Sequence, residues 1–71
     1  MKLTSLWDAI LGDKVKGYVP LDPSLNYVRA EKVRSDLAEM SPGYLLATHF
    51  EGGRWWLKVT RVGISRGAIH A

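Results

Sequence analysis

Arg54, Trp56, Lys58 and Thr60 alternate with Trp55, Leu57 and Val59 in the stretch RWWLKVT. In an extended chain, successive side chains point to opposite faces. One face therefore gathers cations around an indole, and the other gathers apolar groups. Cations neutralise phosphates, and an exposed indole offers a platform on which a base can stack. That chemistry is nucleic-acid binding without catalysis. Trp56 would stack or wedge, while Arg54, Lys58, Arg61 and Arg66 would contact phosphates. His49 completes the candidate set, because a hairpin through Gly52-Gly53 puts it opposite Trp56.

Other chemistry finds little support. The two histidines, His49 and His70, have no carboxylate or second histidine at ligand spacing, so no metal site is expected. The serines fall in caps and turns, without a nucleophile-elbow pattern. Gly52-Gly53 is not followed by a helix, so it lacks the amide-rich phosphate cradle of nucleotide folds. Glu31, Asp36 and Glu39 read as a solvated helix face. No catalytic residue and no cofactor are expected, and the chain reads as a non-enzyme.

Composition is consistent with this. The net charge is +3, yet all seven acids precede Gly52, and residues 52–71 carry only Arg54, Lys58, Arg61 and Arg66 as charged groups. A basic end on a near-neutral body favours an anionic partner. Seventy-one residues make one small domain, 1–71, near the lower limit for folding alone. There is no cysteine, which removes disulfides and thiolate metal sites and leaves packing or self-association as sources of stability. No stretch reads as a membrane span or signal peptide, so a cytoplasmic protein is expected.

The elements that must position these residues follow from periodicity. Leu3, Trp7, Ile10 and Leu11 share one helical face, with Ser5 and Asp8 in capping-box register and Gly12 as a stop. Residues 14–19 predict a strand that Pro20 confines to an edge. A second helix runs from about Ser24 or Asn26 to Met40, with a stripe of Ala30, Val33, Leu37 and Met40 and a Lys32–Asp36 pair facing solvent. Ser41-Pro42-Gly43 ends it. Tyr44 to Phe50 and Arg54 to Ile64 form a β-hairpin around Gly52-Gly53, which pairs Glu51 with Arg54, Phe50 with Trp55 and His49 with Trp56. Residues 65–71 predict a flexible tail.

The expected fold is therefore α+β, in the order α-β-α-β-β, with the C-terminal hairpin packed on one or two helices. Its core should contain Leu6 or Trp7, Ile10, Val33, Leu37, Met40, Leu46, Phe50, Trp55, Leu57 and Val59. The segment LAEMSPGYLL, residues 37–46, resembles the helix, Pro-Gly turn and strand junction of small sulfur-carrier proteins of the two-layer α/β sandwich type. That family requires a cysteine ahead of the helix. None is present here, so the resemblance implies architecture and no activity.

Trp56 carries alternatives. It can belong to a protein-binding or homo-oligomerising adaptor that uses the same Trp/Arg face, since aromatics and arginines are enriched in interfaces. It can also lie under the first helix, beside Leu45 and Ala47. A two-stranded ribbon entering a DNA major groove is a further form of the nucleic-acid reading.

Overall fold

The computed structural model describes residues 4–62, with five elements in the expected α+β order: α1 (Thr4–Leu11), β1 (Lys16–Pro20), α2 (Tyr27–Glu39), β2 (Tyr44–Glu51) and β3 (Arg54–Arg61). The hairpin is the organising element. Gly52 and Gly53 both take positive φ, +66° and +79°, which a two-residue turn between twisted strands requires. The register follows from that turn, with Glu51 opposite Arg54, His49 opposite Trp56 and Leu46 opposite Val59.

β3 is the middle strand. β1 pairs antiparallel with its other edge, Val19 opposite Leu57 and Lys16 opposite Thr60, giving the sheet order β1-β3-β2. The two outer strands are joined through α2, a split β-α-β arrangement. β1 begins two residues later than its periodicity predicts and includes Pro20. The edge position tolerates this proline, whose missing N–H leaves no gap in a ladder.

Both helices pack on the same side of the sheet. Trp7 and Leu11 of α1 form one buried cluster with Leu46, Leu57 and Val59, and Leu37 and Ala38 of α2 pack against it. Leu57 and Val59 are each only 1% exposed. Among the described residues, no helix lies over the opposite face of the sheet.

The core differs from expectation in places. Ile10 is 47% exposed and Phe50 55% exposed. α1 has only two turns, and the i, i+4 pair Trp7 and Leu11 supplies its whole inner stripe, so Ile10 turns outward with Leu6. Phe50 lies at the tip of the hairpin and covers Trp55 from outside, with ring centroids 5.0 Å apart. In α2 only Ala30 is buried, Leu37 and Ala38 are half-buried against the cluster, and Val33, Met40 and the expected core residue Trp55 are likewise only half-buried. Asn26 caps α2 by accepting from the Arg29 N–H at 2.9 Å, and Asp22 accepts from the Ser24 N–H to close the preceding turn. The Lys32–Asp36 pair forms at 3.3 Å in solvent.

Asp8 also has a different partner from the one its spacing suggests. It accepts from the Tyr44 hydroxyl and from Arg61 Nη2. Arg61 further donates to the carbonyls of Lys14 and Gly12, and so ties the end of α1 to the open end of the hairpin. Residues 65–71, and with them the predicted tail, lie outside the described residues, as do Leu3, Arg66 and His70.

Candidate functional site

The register of the hairpin decides which side chains share the uncovered face. From β3 they are Arg54, Trp56, Lys58 and Thr60, and from β2 they are Leu45, Ala47, His49 and Glu51. β1 adds Lys16, Tyr18 and Pro20. Both helices lie on the other side, so the alternative that places Trp56 under α1 does not hold. A pair of turns fits fully over the Leu57–Val59 side, where Trp7 and Leu11 find apolar partners.

Three rings meet on the open face. Tyr18 and His49 come from the two outer strands and approach across β3 with centroids 5.2 Å apart and planes inclined at 57°. Trp56 stands beside them, half-buried. Its Nε1–H donates to the Glu51 carbonyl at 3.0 Å, which fixes the indole against the turn. Tyr18, His49, Glu51, Gly52 and Trp56 line a shallow open depression of about 500 Å3. Among the described residues, no lysine or arginine lines it.

Three cations share the face with this depression. The Arg54 guanidinium lies 5.7 Å from the Trp56 ring centroid, within cation–π range. It also donates to the Leu21 carbonyl, so part of its donor fork is committed to the protein. Its Nε is buried and has no hydrogen-bond partner. Lys58 lies directly opposite Tyr18 across the β1–β3 ladder, Lys16 lies two positions before Tyr18 on β1, and neither forms an ion pair among the described residues. The one acid of the face, Glu51, is held through Oε1 by His49 Nε2 at 2.8 Å.

Of the six predicted site residues, Arg54, Trp56, Lys58 and His49 come together. Arg61 does not join them. It pairs with Tyr44 on the helix side of the sheet and is spent on Asp8, Gly12 and Lys14. Arg66 lies outside the described residues. Lys16, Tyr18 and Glu51 were missed as site residues. The weak alternation of residues 14–20 marks a strand, but no local pattern says that this strand flanks β3.

The perturbed carboxylates are elsewhere and explain structure. The Tyr44 hydroxyl, then Arg61, hold Asp8 below the usual carboxylate range. Thr48, then Arg34, do the same for Glu31. The Ser24 N–H and hydroxyl lower Asp22. Hydrogen bonding to Asp8 raises Tyr44. Asp8 and Glu31 thereby join α1 and α2 to the sheet, and Asp22 closes a turn. Among the described residues, no three His, Asp or Glu side chains converge as a metal site would require. No helix among them is long and apolar enough to cross a membrane.

Comparison of the chain with protein-family models, with curated proteins and with solved structures finds no match in any of the three.

Proposed function

We propose that this protein is a non-enzymatic nucleic-acid-binding module of the cytoplasm that uses the uncovered face of its sheet. The observation that carries the reading is the segregation of the two helices to one side, which leaves Trp56, Tyr18 and His49 beside Lys16, Arg54 and Lys58 on the other. Aromatic rings accept bases by stacking, worth about 1–3 kcal/mol each by truncation. The cations add affinity through counterion release.

The test is a tryptophan-fluorescence titration with a mixed oligonucleotide at several salt concentrations. With three cations on the face, log K against log[salt] should fall with a slope of about −2 for a single strand. Trp56→Ala should lose most of the binding while the melting temperature changes little. Binding that ignores salt, or that survives Trp56→Ala intact, would refute the proposal.

A second reading, a protein-binding or self-associating adaptor, is favoured by the apolar end of the same face, where Leu45 is 63% exposed next to Ala47. Light scattering with and without oligonucleotide separates the two. A stable dimer that Leu45→Lys converts to monomer, with no response to oligonucleotide, would favour the adaptor.

A further inference from the structure

The chemistry of the depression on the open face is more specific than a general affinity for phosphate. Its walls are the rings of Tyr18, His49 and Trp56, and its only acidic or basic group among the described residues, His49 aside, is Glu51. A phosphate placed there would meet a carboxylate at close range, so the depression is not the seat of the backbone. The cations lie on the same face outside it, at Lys16, Lys58 and Arg54. The arrangement suits a base inside and phosphates outside.

The width of the sheet bears on the form of the nucleic acid. A two-stranded ribbon fits a major groove about 12 Å wide. Here β1 flanks β3 from Trp56 to Thr60, so the platform is three strands across. Strand axes are about 4.8 Å apart, and the backbone and side chains of both outer strands add to that span. The platform is too broad for the groove. Stacking on rings also needs a base whose faces are free, which a duplex does not provide.

The acceptor pattern bears on which base. Glu51 Oε1 is engaged by His49, and the Glu51 carbonyl takes the Trp56 N–H. Glu51 Oε2 has no hydrogen-bond partner among the described residues and remains a strong acceptor. Guanine presents two adjacent donors, N1–H and the N2 amino group. Cytosine and adenine each present one amino group. Thymine and uracil present N3–H between two carbonyls, whose oxygens a carboxylate repels.

Building on the nucleic-acid reading above, we infer that the face binds a single strand and seats one amino-bearing base, guanine foremost, among Tyr18, His49 and Trp56, with Glu51 as its acceptor. Lys16 and Lys58 hold the flanking phosphates.

The experiment is fluorescence anisotropy with dye-labelled oligothymidine octamers carrying one internal thymine, cytosine, adenine or guanine, alongside a duplex of the guanine octamer. The guanine octamer should bind about five- to fiftyfold tighter than the all-thymine strand, with cytosine and adenine between them. Glu51→Gln should collapse that preference to within about twofold, because it removes the charge that rejects thymine. Equal binding of all four octamers by the native protein would overturn the base preference and leave nucleic-acid binding standing. Tighter binding of the duplex would overturn the single-strand assignment alone. Failure of every octamer and of the duplex to bind at low salt would overturn this inference together with the function it rests on. A thermal melt of Glu51→Gln checks its fold, and the base series on the native protein does not depend on it.

Discussion

Trp7 Nε1 donates to Ser41 Oγ at 2.7 Å, across thirty-four positions of sequence and inside the core. Ser41 is only 1% exposed, and its own hydroxyl proton goes to the Leu37 carbonyl in the last turn of α2. One hydroxyl thus joins the indole of α1 to the end of α2. A buried indole N–H without an acceptor is costly. Ser41→Ala should destabilise the protein by about 1–3 kcal/mol, read from urea denaturation. It should leave oligonucleotide binding at the opposite face intact. A loss well under about 0.5 kcal/mol would mean that water or a shifted backbone replaces the hydroxyl.

The contact between α1 and β1 depends on a missing side chain. A Cβ at Gly17 would stand 2.9 Å from Leu11 Cδ2. Leu11 is buried, so its side chain has little room to yield. Gly17→Val should cost about 1–3 kcal/mol through overpacking. Combining it with Leu11→Ala should cost less than the sum of the two single changes, since the smaller residue frees the space. Strict additivity in a double-mutant cycle would show that the contact is not what limits residue 17.

The adjacent indoles should separate in their responses. Trp55 is clasped between Tyr27 and Phe50, with centroids at 5.4 Å and 5.0 Å. Trp56 has a guanidinium and one carbonyl as partners on an uncovered face. Trp55→Ala should lower stability by about 2 kcal/mol, and Trp56→Ala by about 1 kcal/mol or less. Binding should follow the reverse order. Equal losses of stability would show that the two rings share one core.

Acid should weaken the fold through Asp8, Asp22 and Glu31. All three are held below their ordinary range, chiefly by Tyr44, Ser24 and Thr48 respectively. The unfolded chain takes up these protons first, near pH 4, so it binds more protons than the native state over that window. The stabilisation is therefore complete above about pH 5 and is lost as pH falls through the depressed native values. Urea midpoints between about pH 7 and pH 3 should fall, and Asp8→Asn should fall less steeply because one titrating group is gone. Identical slopes would show that Asp8 gains nothing from Tyr44 and Arg61.

The hairpin was the most legible part of the chain, because turn chemistry and alternation agree. Two glycines fix the turn, the turn fixes the register, and the register sorts Trp55 from Trp56. The element order was legible for similar local reasons. Tertiary relations were less so. Ile10 and Leu11 are adjacent and equally apolar, and only the position of α1 on the sheet decides which one is buried. Arg61 looked like one more cation of the basic end, yet its strand position sends it to the helix side and to Asp8. Tyr18 became a site residue only through the pairing of β1 with β3, a contact between segments about forty residues apart.

The middle of the sheet is made by the last of its three strands. β1 and β2 each bond to β3 and not to one another, so neither has a ladder partner until residues 54–61 exist. Without β3, the segment from Thr4 to Glu51 has two helices and two strands to offer but no sheet in which to place them. The sheet therefore cannot close until residues 54–61 are in place, and a chain halted before Arg54 exposes both strands at once.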